Sequence, residues 1–391
     1  MNPVELSRFL GESFAPTPQQ SEVIAANTTE PHLVVAGAGS GKTATMANRV
    51  AWLVANGLAE PAHILGLTFT RKAAGELDER IGRQLAKWER ASGNGETGRL
   101  EADRPTVSTY NAFAAAVYRD HALRIGYEPD AVVISESIAW RLAHRVVVQS
   151  RDERLAALDL NPTTLVDAVL SVARELADHG ASGTAVRDFA RDIATRARAH
   201  VDSVRLKDAR DTISRYVANV ELLPLLIDLA AEYQAAKRAR GYIEFSDQVA
   251  LAHRIVTEHP AVAQAYRDRY RIVLLDEYQD TSVAQTRFLA ELFRGSGVMA
   301  VGDPDQSIYG FRGASAANLS RFAIDFGPGR TFPLSVSWRN SHAVLEVANA
   351  VTEHLDRTVG IDKLPLDAND SAAPGAVHVR YFETILDEAE A

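Results

Sequence analysis

The chain holds 391 residues, 24% of them charged and 46% hydrophobic, with a net charge of −9 and no cysteine. At roughly 150 residues per domain, this length accommodates two to three domains. The composition excludes a disordered or collagen-like chain. The lack of cysteine excludes disulfides, thiolate zinc sites, iron–sulfur clusters and cysteine nucleophiles. The acidic balance argues against coating nucleic acid by bulk charge, and leaves a local basic groove open. No apolar run reaches the roughly 18 residues of a spanning helix. Residues 1–11 include Glu5 and Arg8 and lack the apolar core of a secretory signal, so a cytoplasmic location is expected.

In chain order, 19–27 reads as a short helix and 32–36 (HLVVA) as a buried strand closed by a glycine loop. Residues 41–57 carry Met46, Val50, Leu53 and Val54 at helical spacing. A second strand is expected over 64–69 and a second helix over 72–88. Strands separated by helices imply a parallel sheet. From about 111 to 240 the pattern is mostly helical, punctuated by Gly126, Pro129, Pro162, Gly180, Gly183 and Pro224, which reads as an inserted helical domain. Strand-like runs return at 271–275 and 297–301, and 330–335 reads as a further strand or a linker. An amphipathic helix over 341–355, a polar loop over 367–375, a short strand over 376–382 and the start of a helix at 384–391 follow. No internal repeat or low-complexity tract is visible.

The stretch Ala36, Gly37, Ala38, Gly39, Ser40, Gly41, Lys42, Thr43 follows a strand and opens a helix, which is the Walker A context. Its glycines let backbone N–H groups approach phosphate oxygens, and the helix N-terminus adds a favourable dipole. Lys42 is expected to reach the β and γ phosphates of ATP, and Thr43 to offer its hydroxyl to Mg²⁺. Ala36 stands where the strict pattern has glycine. The apolar run 272–275 ends in Asp276 and Glu277, a Walker B arrangement. Asp276 is expected to hold Mg²⁺ and Glu277 to polarise the attacking water. A small-molecule kinase takes its nucleophile from its substrate, so Glu277 favours hydrolysis over transfer. The two motifs lie 234 residues apart, far more than a plain P-loop domain needs, in accord with a large insertion. The eleven histidines form no recognisable ligand spacing, so no metal beyond Mg²⁺ is implied.

DEYQDT at 276–281 and VGDPDQSIYGFRGA at 301–314 resemble the UvrD/Rep/PcrA-like superfamily 1 DNA helicases. Further strings fall in the family's order: TPQQ at 17–20 is similar to its Q motif, LTFTRKAA at 67–74 to motif Ia, and VSTYNAF at 107–113 to motif Ib. EFSD at 244–247 resembles the element after the inserted domain, and LSVSWRN at 334–340 resembles motif IV. The resemblance implies an α/β P-loop NTPase: a RecA-like parallel sheet, a large inserted helical domain and a partial second RecA-like domain. The corresponding division is 1–110 and 241–330 for the first RecA-like domain, 111–240 for the insertion, and 331–391 for the start of the second. It further implies ATP-driven 3′-to-5′ movement on single-stranded DNA and duplex unwinding in repair or recombination.

By the same resemblance, Gln20 reads adenine and Trp338 stacks on it in place of the family's usual Tyr. Gln306 senses the γ-phosphate, and Arg339 completes the site. Ala44 replaces an arginine common in relatives after the P-loop Thr. Phe69, Tyr309 and Phe311 are candidate stacking platforms for DNA bases. Thr70, Arg71, Thr109, Asn111 and Arg312 are candidate backbone contacts. Taken alone, Phe69 and Phe311 also fit core packing at a strand end. The run Lys237-Arg238-Ala239-Arg240 reads as a solvated helix face. No match to the family's motifs V and VI follows Asn340. A truncated motor, with a partner subunit or a nuclease domain elsewhere, is therefore expected. The finer resemblance is to an actinobacterial RecB-like helicase–nuclease. A module that holds ATP and DNA without unwinding is the alternative, and an unrelated P-loop kinase is a third.

Overall fold

The computed structural model describes residues 1–93, 104–156, 158, 160–201, 207–310, 317–354, 361 and 363–390. Six strands form one sheet: β1 (His32–Ala36), β2 (Ile64–Thr68), β3 (Thr106–Thr109), β4 (Ile272–Leu275), β5 (Gly297–Gly302) and β6 (Arg330–Leu334). Their spatial order is β3-β2-β4-β5-β1-β6, and every pairing is parallel. Leu33 of β1 sits opposite Ala300 of β5 and Thr331 of β6.

Both faces of the sheet are covered, which is why its strands read as continuous apolar runs. Leu33, Val35, Leu65, Leu67, Val273 and Leu275 face one core, shared with Phe113, Val117, Ile255 and Phe288 from covering helices. Val34, Ala36, Ile64, Ile272 and Leu274 face the other, shared with Met46, Val50, Leu77 and Ile81. Full burial of each Val, Leu, Ile, Phe or Met side chain among these contributes about 1.5–3 kcal/mol. The run 330–335, open between strand and linker in the sequence, forms a sheet strand over Arg330–Leu334. The helix Tyr110–His121 packs Phe113, Val117 and Tyr118 under the sheet.

The chain leaves the sheet after β3 and returns at β4. Between them Glu136–Gln149, Pro162–Asp178 and Lys207–Arg238 share a core of Leu142, Val166, Val169, Leu229 and Tyr233. Gly183–Val201 packs Ala190 and Ala194 on Val217 and Val220 of the long helix. A short parallel pair, Val132–Val133 with Tyr242–Ile243, joins the two ends of this excursion.

Lys237, the first residue of the basic run at 237–240, differs from expectation. Lys237 is 1% exposed and donates to Glu244 at 2.7 Å and Asp247 at 2.6 Å. Tyr233 Oη donates to Glu244 at 2.9 Å, and Arg174 reaches the same carboxylate at 2.8 Å. The charge is neutralised by acids seven and ten residues further on, so Lys237 locks the insertion to the helix Phe245–Glu258, while Arg238, Ala239 and Arg240 are exposed as a solvated face would be.

Beyond β6, Val336–Ser337 pairs in parallel with Asp367–Ala368, and the helix His342–Glu353 buries Leu345. Val344, Val347 and Val351 of that helix stay exposed. The expected strand at 376–382 does not form: these residues are exposed, and among the described residues no strand pairs with them. An alternating pattern without a neighbouring strand has no ladder to complete. Among the described residues no helix is long and apolar enough to cross a membrane.

Candidate functional site

The candidate nucleotide site lies where β1, β4 and β5 end. The loop after β1 turns through Gly39 at φ +77° and Gly41 at φ +80°, left-handed positions that glycine adopts without strain. The helix Lys42–Ala55 then starts with Lys42 and Thr43 in its first turn. Lys42 Nζ donates to Glu277 Oε2 at 3.2 Å across the end of β4. Glu277 takes φ 49°, the only positive φ of a non-glycine residue among those described. Such backbone strain is held in place by its surroundings and clusters at functional sites.

Asp276 is 3% exposed. Burial pushes its carboxyl up to about 7, with Glu277 adding to the effect and Lys42 and the Thr43 hydroxyl opposing it. A buried carboxylate beside a hydroxyl is a hard oxygen donor set that suits Mg²⁺, and a divalent cation would relieve the cost of ionising it. The residues therefore fit the metal. Among the described residues there is no group of three or more His, Asp or Glu that could hold another metal ion.

The segment beyond β6 closes over this loop. Trp338 N donates to Gly39 O at 2.8 Å, and Leu366 rests on Gly37. Arg339 lies against Gly39. Trp338 packs on Phe14 with ring centroids 5.5 Å apart. A cavity of about 420 Å³ opens between them, lined by Phe14, Gln20, Ala44, Asn48 and Trp338. Arg80, Arg83 and Lys87 of the helix Arg71–Ala91 line the same cavity, with Arg83 paired to Glu79 at 2.6 Å and Lys87 to Glu12 at 2.5 Å. The Gln20 amide is engaged locally: it accepts from Thr17 N at 3.0 Å and donates to Ser40 O at 3.1 Å. Gln20 thus braces the phosphate loop at the cavity wall. Gln306 reaches Asp303 Oδ2 with its amide nitrogen at 2.6 Å.

The candidate DNA contacts gather at the ends of β2 and β3. Phe69 packs against Tyr309 with ring centroids 4.8 Å apart and ring planes tilted by 34°. Thr70 and Thr109 cap the helices Arg71–Ala91 and Tyr110–His121, accepting from Ala73 N and Ala112 N. Two helix N-termini, each favourable to anions, therefore open at one groove. That groove encloses about 510 Å³ and is lined by Phe69, Arg71, Thr109, Asn111 and Phe245 among others. Asn111 accepts from Gln285 Nε2 at 2.8 Å. Phe245, 62% exposed, was not singled out from the sequence; an aromatic flanked by Glu244 and Asp247 was the available signal. Phe311 and Arg312 lie outside the described residues.

The UvrD/REP helicase N-terminal domain family matches residues 16–327 of this chain. The chain is 32% identical over 343 residues to an ATP-dependent DNA helicase UvrD1 of Mycobacterium tuberculosis, covering 85% of this chain and 38% of that protein. It is 30% identical over 374 residues to DNA helicase II of Escherichia coli K12, covering 95% of this chain and 44% of that protein. DNA helicase II of Rickettsia typhi is 28% identical over 333 residues, with 84% and 43% covered. The chain thus spans about two fifths of the length of the curated relatives it matches.

Proposed function

The chain belongs to the UvrD/REP helicase N-terminal domain family, and from that premise we propose that it is the ATP-binding, DNA-gripping part of a 3′-to-5′ DNA helicase acting in repair or recombination. The observation that carries this reading is the Lys42–Glu277 contact, which brings the phosphate-loop lysine to the carboxylate that would hold the attacking water. Lys42 neutralises charge on the β and γ phosphates, Glu277 orients the water, and Arg339 and Gln306 bear on the γ-phosphate. Mg²⁺, held by Thr43 and Asp276, would supply charge neutralisation across the phosphates when bound. Gln20 and Trp338 border the base, and Ala36 through Ser40 with Gly41 wrap the phosphates.

On the DNA side, Phe69, Tyr309 and Phe311 stack bases without reading sequence, and Phe245 joins them. Thr70, Arg71, Thr109, Asn111 and Arg312 bear on the backbone. The units are residues 1–110 with 241–330, the insertion 111–240, and 331–391, with hinge closure between the first and last on ATP binding. A cytoplasmic location fits this role, and a partner subunit or nuclease domain would complete it. A second reading rests on the two-fifths coverage of the relatives: a module that binds ATP and single-stranded DNA but does not unwind alone. Titrating salt against single-strand binding tests the DNA half of both. A log–log slope of about −0.7 per phosphate contacted is expected, and a salt-independent affinity overturns a backbone-tracking groove.

A further inference from the structure

A continuous set of hydrogen bonds runs from the phosphate loop to the segment beyond β6. Glu277 Oε2 accepts from Lys42 Nζ at 3.2 Å and from Gln279 Nε2 at 2.9 Å. Gln279 Oε1 accepts from Asp303 N at 3.0 Å. Both ends of the Gln279 amide are thereby fixed. A flipped amide would set oxygen against carboxylate and N–H₂ against N–H. A side chain at Gly302 would intrude here, since an added Cβ would come within 2.8 Å of Gln279 Oε1.

Asp303 carries the set onward. Its Oδ2 accepts from Gln306 Nε2 at 2.6 Å, and its Oδ1 accepts from Lys363 Nζ at 2.6 Å. Lys363 also donates to Asp305 Oδ2 at 2.8 Å. Gln279 and Asp303 are each 1% exposed, and the Lys363 side chain is 11% exposed. Lys363 belongs to the segment that seats Leu366 on Gly37 and pairs Asp367–Ala368 with Val336–Ser337. No motif in the sequence singled it out.

A buried carboxylate that loses its cation retains its full desolvation cost and settles toward the donors it keeps. For Asp303 these are the Gln306 amide, already on Oδ2 at 2.6 Å, and the Asp305 N–H, already on Oδ1 at 3.1 Å. Shifting Asp303 moves the N–H that holds Gln279, and Gln279 orients Glu277. We infer that Lys363 and Gln279 are positioning residues for hydrolysis: Lys363 sets Glu277 through Asp303 and Gln279. The hydrolytic carboxylate is thus aligned only while the segment around Lys363 is docked over the phosphate loop. This rests on the proposed role of Glu277.

The test compares the full chain with Lys363→Met, Lys363→Arg and Gln279→Met by hydrogen–deuterium exchange and by ATP turnover. Lys363→Met is expected to speed amide exchange by roughly tenfold at both 303–309 and 277–281, the scale of one lost hydrogen bond. The helix Lys207–Arg238 should keep its protection, and Lys363→Arg should restore both loops. Turnover should fall about tenfold at saturating ATP in Lys363→Met and in Gln279→Met with KM within about twofold, and the double variant should fall no further. Faster exchange confined to 303–309, or losses that multiply in the double variant, overturns the relay. Should Lys363→Met unfold, Gln279→Met alone decides: unchanged exchange at 277–281 overturns the inference. If Glu277→Gln leaves turnover intact, the hydrolytic reading fails, while the exchange data still judge the relay.

Discussion

Lys42 and Lys237 both point into carboxylates, and they differ in how completely they are paired. Lys237 is saturated: Glu244 at 2.7 Å, Asp247 at 2.6 Å and the Tyr233 ring at 4.8 Å enclose an ammonium whose side chain is 2% exposed. Lys42 makes one contact at 3.2 Å, to a glutamate whose side chain is 32% exposed. A fully satisfied buried network rigidifies its surroundings, whereas an ammonium with donors to spare is poised to take a ligand. The first ties the helical insertion to the helix Phe245–Glu258, and the second faces the space where phosphates would sit. Pairing separates structural from chemical lysines here better than burial does.

Substitutions at the two lysines should therefore fail in opposite ways. The largest effect is expected at the open site: Glu277→Gln should cut ATP turnover by about 10²–10⁴, the usual range for a lost general base, with the melting temperature unchanged. Lys237→Met should lower stability by about 3–5 kcal/mol, because it leaves the buried Asp247 without its cation and Glu244 with Arg174 alone. Urea unfolding would read that loss, and nucleotide affinity in the folded protein should hold. A catalytic defect from Lys237→Met at full stability would collapse the distinction.

Smaller effects follow on the DNA side and in the titration of the insertion. Phe69→Ala and Phe245→Ala should each cost about 1–3 kcal/mol of single-strand affinity, measured by fluorescence anisotropy without change in ATP binding. Burial opposes ionisation of Glu244, but Lys237 and Arg174 outweigh it and hold its carboxyl below the ordinary 4.5. A lowered folded pKa means this group stabilises the fold above pH 4.5, and that contribution is lost as pH falls further. Asp178 has the opposite sign: burial, with Glu175 adding, raises it from 3.8 to about 6. Its cost appears as pH rises through that window, so Asp178→Asn should raise the melting temperature at pH 8 and not at pH 3.5.

The phosphate loop and the Asp276–Glu277 pair were legible because each is a contiguous string whose neighbours decide its geometry. Four of the six sheet strands could be placed for the same reason, since burial on both faces leaves a continuous apolar signature; the edge strand β6, with Arg330 and Thr331 exposed, stayed open between strand and linker. The strand β3, read only as a motif, has four half-buried residues and no such run. Lys237 was misread because the acids that bury it belong to the next element. The alternation at 376–382 suggested a strand, but pairing depends on a neighbour that no local pattern announces. Lys363 and Gln279 gain their place only from tertiary contacts among β4, β5 and the segment beyond β6. The Phe69–Tyr309 contact, by contrast, joins two residues that the motifs had already marked.

The central claim is that this chain couples ATP hydrolysis at Lys42 and Glu277 to single-stranded DNA in the groove beside them. ATP turnover measured while single-stranded DNA is titrated into the full chain tests it most directly. Turnover that rises with DNA, and is abolished by Lys42→Ala and Glu277→Gln, is the predicted result. Turnover indifferent to both substitutions, or unchanged by DNA at concentrations where DNA is bound, would contradict it.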